Sequence, residues 1–134
     1  MLKQMAFTAG EGKYQVQLLV TVTGDGLIVQ LFGGTRPHVG AVALSQPRPG
    51  LSDPDRISCN TAIIPLLGHK DDEVAKPVAE AIARACGRPV VVVAGVHVDG
   101  AAAGDIEQLV DNCFAAAKKL VREIEVREIG GTRK

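Results

Sequence analysis

The chain has 134 residues, a length typical of one compact domain, and its hydrophobic content of 46% is sufficient for an apolar core. Fifteen basic and fifteen acidic side chains give a formal net charge of zero, so the one-sided basic charge of a nucleic-acid-binding or membrane-surface protein is missing. Residues 1–5 lack the apolar core of a signal peptide, and no apolar run reaches the roughly 18 residues of a membrane span. We therefore expect a cytoplasmic protein with no nucleic-acid or membrane partner.

The first half of the chain is predicted to consist of strands. Alternating apolar and polar residues indicate a strand over residues 14–23, and Gly-Asp-Gly at 24–26 leads into a second strand over 27–32, so these two form a hairpin. A third strand is predicted over 38–45. The proline-rich segment 46–56 is predicted to be a loop, and a fourth strand follows over 57–66.

The second half is predicted to alternate between helix and strand. Apolar spacing indicates a helix over residues 71–85, in which Asp71 or Asp72 could cap the N-terminus; Pro77 could move the start to Val74, and Gly87 ends the helix. Valine-rich residues 90–98 predict a strand buried on both faces, and residues 106–124 a long helix.

The element order β-β-β-β-α-β-α predicts the class α/β (α+β), a two-layer sandwich with a mixed five-stranded sheet and both helices on one face. We expect one domain over residues 10–126, with 1–9 and 127–134 as flexible or edge termini. Cys59, Cys86 and Cys113 lie in apolar patterns and are predicted to be small buried hydrophobic residues rather than disulfide or zinc ligands.

All three histidines lie in polar clusters at the ends of apolar segments: residues 33–38 (Gly-Gly-Thr-Arg-Pro-His), 68–72 (Gly-His-Lys-Asp-Asp) and 97–100 (His-Val-Asp-Gly). The fourth strand, first helix and fifth strand form a β-α-β unit, whose parallel strands end at the same edge of the sheet. If the third strand is the antiparallel partner of the fourth, it begins at that edge too. The sequence thus predicts that the three clusters form one ligand-binding crevice, although three unrelated surface histidines would give the same pattern.

The residue types suggest more than one ligand. Gly33, Gly34 and Thr35 followed by Arg36 suit a phosphate or carboxylate, although Gly-Gly also simply makes a turn. The segment 68–70 precedes a helix N-terminus, which attracts anions, but the following aspartates would repel them. Alternatively, the clusters offer ligands for zinc or iron in a small metal-dependent enzyme, without the local spacing of a recognisable metal site; the ligands would be His38, His69, His97 and Asp99.

Three motifs in order resemble those of the LpdD-like prenylated flavin chaperones, small proteins that accompany UbiD-type decarboxylases. The motifs are Gly-Gly-x-x-Pro-His-x-Gly-Ala-Val over residues 33–42, Gly-His-Lys-Asp-Asp over 68–72, and the run 91–99 with Ala-Gly-x-His-x-Asp. The resemblance covers roughly residues 14–124. It departs from the expected pattern at Gly100, where we expect relatives to carry Asn.

The resemblance implies that the chain binds prenylated FMN, or FMN, and holds or delivers it for a UbiD-type hydroxyarylic acid decarboxylase rather than turning over a substrate itself. The flavin prenyltransferase is a further candidate partner, and we expect a homo-oligomer because sheet edges need covering. A purely structural decarboxylase subunit is the remaining alternative. The residues assigned to the cofactor are Gly33, Gly34, Thr35, Arg36, His38, Gly68, His69, Lys70, His97 and Asp99.

Within that assignment, Arg36, Lys70 and the amides of Gly33 and Gly34 would meet the phosphate, while the histidines and Asp99 would face the polar edges of the ring system. The chain offers no aromatic side chain that obviously stacks on a flavin. The small residues Gly40, Ala41 and Gly95 are expected to let the ring lie against the sheet instead.

Overall fold

The computed structural model describes residues 3–53, 55–66 and 71–127. Within them, the chain forms six strands and two α-helices, with a short 3₁₀ turn at Gly12–Tyr14. In chain order the elements are β1 Lys3–Ala9, β2 Val16–Val22, β3 Leu27–Gly34, β4 Ala41–Pro49, β5 Ile57–Pro65, α1 Asp72–Cys86, β6 Val90–His97 and α2 Ala103–Arg127. None of the helices described here is long and apolar enough to cross a membrane.

The strands form one mixed sheet in the order β1-β2-β3-β6-β4-β5. Neighbouring strands are antiparallel except for β3 and β6, which run parallel. Strand β6 is therefore inserted between β3 and β4, although β3 and β4 follow each other in the chain. Because β3 and β6 end at the same edge, the six residues that join β3 to β4 must pass across the C-terminal end of β6.

The predicted α+β class, the β2–β3 hairpin and the antiparallel β4–β5 pair are confirmed. The prediction of five strands is wrong, because residues 3–9 form a sixth strand that pairs with β2 along its whole length. Strands β5 and β6 are parallel as predicted, but β4 separates them.

Strand β4 also extends to Pro49, into the segment predicted as a loop. Its pairing with β6 ends at Ser45, so the prolines at 47 and 49 lie where one side of β4 has no neighbouring strand. A proline is tolerated there because its missing N–H removes no ladder hydrogen bond.

The core lies between the sheet and the two helices. Alternate strand residues, such as Leu18, Val29 and Val92, are fully buried on the face that the helices cover. Helix α1 begins at Asp72 and includes Pro77 without a break, so the start near Val74 considered from the sequence is not observed. Gly87 ends it with φ +68°, as expected for a left-handed C-cap.

The three cysteines are free thiols: Cys86 and Cys113 are fully buried, and Cys59 is half-buried. Burial raises the pKa of the Cys113 thiol to about 12, and the negative charge of Asp71 adds to the shift. The thiol is therefore protonated at neutral pH, which fits a packing role.

Candidate functional site

The segment between β3 and β4, residues 35–40, crosses the end of β6 in close contact with it. The amides of Thr35 and Arg36 donate to the carbonyl oxygen of His97, at 2.7 and 3.3 Å. Gly34 adopts φ +84°, and a Cβ there would lie 2.1 Å from the same carbonyl oxygen. Gly95 lies directly against the crossing segment, because a Cβ on it would come within 1.4 Å of the His38 carbonyl oxygen. The glycines thus permit the crossing that brings His38 to the end of β6.

His38 is held by two oxygen acceptors on opposite sides of its ring. Its Nδ1 lies 3.1 Å from the Arg36 carbonyl oxygen, and its Nε2 lies 3.0 Å from Oδ2 of Asp71. Each ring nitrogen of His38 thus faces an oxygen atom, and Asp71, the partner of Nε2, is only 6% exposed.

Asp71 connects three elements of the fold. Its Oδ1 accepts the backbone N–H of Val96 at 3.0 Å, while its Oδ2 bonds His38. Its backbone carbonyl accepts the amides of Val74 and Ala75 and so begins α1. The side chain makes no capping bond to the helix, which corrects the interpretation of Asp71 as a helix cap. A buried carboxylate thus ties α1, β6 and the crossing segment together.

A second, more exposed His–Asp pair lies beside the first. Nε2 of His97 is 3.0 Å from Oδ1 of Asp99, and the same oxygen is 3.1 Å from the Arg36 guanidinium. The Asp99 amide donates to the Thr35 hydroxyl at 3.0 Å. The His38 and His97 rings are perpendicular, with centroids 6.3 Å apart. The predicted meeting of the 33–38 and 97–100 clusters is therefore observed, and Asp71, a described residue of the third cluster, lies at the same place.

Gly68, His69 and Lys70, which were also predicted to bind the cofactor, lie outside the described residues. Their predicted roles stay predictions. Among the residues that are described, no group of three or more His, Cys, Asp or Glu side chains is arranged as a metal site.

A cavity of about 620 Å³ opens next to the two His–Asp pairs. It lies between the end of β6, the start of α1 and the first turns of α2. His38, Asp71, Glu73 and His97 form its polar part. Most of the wall is apolar and is formed by Val74, Val96, Val98, Ala101, Ile106, Leu109 and Val110, with Gly100 at the edge.

These apolar wall residues were missed as site residues from the sequence. Leu109 and Val110 belong to the apolar stripe of the last helix, and Val74 belongs to that of the first helix; such a stripe indicates burial in the core. Their spacing carries no sign that one end of the stripe is left uncovered. The sequence does carry one signal for the site, because a histidine and an aspartate lie just before each helix. These residues are His69 and Asp71 before α1, and His97 and Asp99 before α2.

Two expectations about the glycines do not fit this geometry. The Gly34 amide donates to the Gln15 carbonyl at 3.1 Å, and the next two amides bond His97, so this loop has no free row of amides for a phosphate. The space above Gly40 and Gly95 is filled by Asp71 and by the His38 carbonyl, and Ala41 is fully buried. A flavin ring cannot lie on the sheet at these residues, so the apolar cavity beside α2 is the available space.

Comparison with known proteins places the chain in a family. The model of the prenylated flavin chaperone LpdD-like domain matches residues 10–125, which include both His–Asp pairs and the cavity. Over 93 residues the chain is 28% identical to "Protein LpdD" of Lactiplantibacillus plantarum, strain WCFS1; the match covers 69% of this chain and 65% of that protein, just under two thirds of its length.

The fold is similar to that of a chain in the crystal structure of a novel chaperone complex for yeast 20S proteasome assembly. The TM-score is 0.58 at 18% identity, and the likeness covers 93% of this chain and 96% of that one. At this identity the similarity concerns the fold alone. The family match, in contrast, extends over nearly the whole sequence. The chain belongs to the LpdD-like prenylated flavin chaperone family.

Proposed function

We propose that this protein binds prenylated FMN in the cavity between α1, β6 and α2 and holds it for a UbiD-type decarboxylase. The observation that carries the proposal is the cavity itself, an apolar space of about 620 Å³ with two His–Asp pairs at one side. Membership of the LpdD-like prenylated flavin chaperone family supports a flavin as the proposed ligand.

The cavity suits a prenylated flavin in size and chemistry. Pockets for cofactors and drug-sized ligands span about 300–1,000 Å³ and are mostly apolar with a few polar groups. The dimethylallyl-derived carbons of the cofactor add apolar surface, which Val98, Ile106 and Val110 can cover. The ring nitrogens and oxygens of a flavin need hydrogen-bond partners, and the His97–Asp99 pair offers them at the edge of the cavity.

Arg36 is the described cation best placed for the phosphate, since its guanidinium lies beside Asp99 and is 68% exposed. A phosphate arriving there would exchange one anionic partner of the guanidinium for another. Lys70 remains part of the proposed phosphate contact from the sequence alone.

The contacts of His38 support a role in holding the ligand rather than in transforming it. Both ring nitrogens of His38 already face acceptors, so this ring is not free to take a proton from a substrate. The decarboxylation chemistry that prenylated FMN supplies belongs to the partner enzyme. The residues of this chain would bind the cofactor, orient it and exclude water.

Binding is tested by anaerobic titration of the purified protein with reduced prenylated FMN and, separately, with FMN, followed by ultrafiltration and flavin absorbance. We expect one flavin per chain and tighter binding of the prenylated form. Ile106→Trp, which fills the cavity, should weaken binding by at least about tenfold. The matched control is Val126→Trp on the same helix, where the side chain is 78% exposed and outside the cavity.

If neither flavin binds, or if the two tryptophan substitutions change the affinity for flavin equally, the cavity is not the flavin site. Delivery is tested separately, by adding the loaded protein to an apo-decarboxylase of the UbiD type and measuring flavin retained on each protein after separation. Binding without transfer would limit the function to storage.

A further inference from the structure

The face of the sheet opposite the helices carries two rows of side chains that cross all six strands. The register of the pairs gives one row as Ala6, Leu19, Gln30, Val93, Val42 and Ile64, and the next as Gln4, Thr21, Ile28, Val91, Leu44 and Ala62. Nine of these twelve residues are apolar and the other three are uncharged. We call these two rows the outer face.

This face is unusual for a surface in contact with water. Four of the six strands carry an exposed large apolar side chain on this face. The exposed fractions are 66% for Ile64, 45% for Ile28, 40% for Leu19 and 36% for Leu44. Antiparallel sheets that face solvent normally carry polar and charged residues there. A contiguous apolar patch of this extent marks a surface that is covered by another molecule.

We infer that the outer face packs against the outer face of a second copy of this chain, forming a dimer with two sheets at its centre and the helices outside. The size fits, because the whole sheet face that contains these rows, with six strands about 4.8 Å apart and seven residues of about 3.3 Å, has an area of roughly 650 Å², near the roughly 800 Å² per partner of a standard interface.

Charge and shape favour a second copy as the occupant. The two rows hold no charged residue and the chain has no net charge, so two copies meet there without repulsion. Two identical twisted sheets pack face to face at about −30°. The half formed by β1–β3 contains a depression of about 330 Å³ beside Leu19 and Ile28, while Ile64 stands exposed on the other half. A two-fold axis parallel to the strands places Ile64 of each copy over this depression in the other.

The arrangement goes beyond the flavin site and leaves it accessible. The cavity is lined by residues of α1 and α2, such as Val74 and Ile106, and these helices cover the opposite face of the sheet. Dimerisation and flavin binding are therefore separable in experiment.

Sedimentation velocity over a dilution series tests the dimer. We expect the wild-type chain to be a dimer with a Kd of about 1 µM or lower. Leu19→Asp and Ile64→Lys should each raise the Kd at least about 100-fold, because each buries an unpaired charge in the interface. Leu51→Lys is the matched control, since Leu51 is 91% exposed and lies outside the sheet. Circular dichroism spectra and thermal melts confirm that each variant is folded.

Mixing the Leu19→Asp and Ile64→Lys variants gives a sharper test. In the mixed dimer the carboxylate introduced at position 19 of one copy would face the ammonium group introduced at position 64 of the other. The second junction would be wild type, so the dimer should form again.

Three results would overturn the inference: a monomeric wild-type chain, a dimer whose Kd is unchanged by both face substitutions, or failure of the mixed variants to associate. An unchanged Kd is the result expected of an edge-to-edge dimer through β1 or β5. Flavin binding by the monomeric variants should be unchanged.

Discussion

The carboxylate of Asp71 offers the most direct test of how the site is held together. It is buried, it accepts the Val96 amide at 3.0 Å, and it pairs with His38 at 3.0 Å. Asp71→Ala would leave the Val96 N–H and Nε2 of His38 without their partner. Leaving a buried polar group unsatisfied costs about 1–3 kcal/mol, so the two losses together cost about 2–5 kcal/mol, which is a large part of the total stability of a domain.

Two further substitutions separate the components of that loss. Asp71→Asn keeps an oxygen for the Val96 amide but removes the charge, so we expect a smaller loss of about 1–2 kcal/mol. Asp72→Ala, one residue further along, removes a half-buried carboxylate in the first turn of the same helix, and should cost less than about 1 kcal/mol.

Urea denaturation followed by far-ultraviolet circular dichroism measures all three free energies of unfolding. The expected order of loss is Asp71→Ala, then Asp71→Asn, then Asp72→Ala. If Asp71→Ala unfolds at the same urea concentration as the Asp72→Ala control, the carboxylate does not tie α1 to β6 and the crossing segment, and our account of the site is wrong.

Two other predictions concern the crossing segment and the start of α2. Gly95→Ala should destabilise the fold by at least about 2 kcal/mol in the same urea assay, because the new methyl group meets the backbone carbonyl of His38, which cannot rotate away. The control is Gly104→Ala in α2, where the space is open and the change should be neutral or stabilising by about 0.5 kcal/mol. Similar effects of the two substitutions on stability would contradict the close crossing. The Tyr14 hydroxyl donates to Asp105, and this bond, with desolvation, raises the pKa of Tyr14 above its ordinary value. The same bond lowers the pKa of Asp105, although desolvation opposes that shift. The phenolate absorbance of this single tyrosine should therefore appear above pH 10, and Asp105→Asn should move it to lower pH; an unchanged midpoint would rule out the bond. The contact stabilises the fold above the ordinary pKa of the aspartate, and its contribution is lost as the pH falls through the lowered value.

Local patterns were sufficient for most of the elements. The alternation at Val16–Val22, the turn before Leu27 and the valine run at β6 each predict the observed strand, because burial on one or both faces leaves a direct periodic signal. Helix α1 and its stop at Gly87 follow from residue chemistry close in sequence. The sequence analysis did not predict strand β1, because this short terminal segment forms a strand by pairing with β2 and its own sequence does not indicate that pairing.

The candidate site was predicted in part, for a topological reason. The parallel orientation of β5 and β6 and the antiparallel β4 place His38 and His97 at one edge, and this much followed from the order of elements. The role of Asp71 did not follow, because an acidic residue at a helix start is as consistent with a cap as with a buried hydrogen bond to a histidine.

By itself, then, the sequence determined the class of fold, the elements near the site, and the resemblance to a family of flavin chaperones. Tertiary structure alone decided that β6 separates β3 from β4, that a six-residue crossing brings His38 onto Asp71, and that a cavity remains beside α2. The physical reason is that periodicity reports whether a residue is buried but not against which neighbour, and both the cavity and the His38–Asp71 pair are made by neighbours distant in the chain.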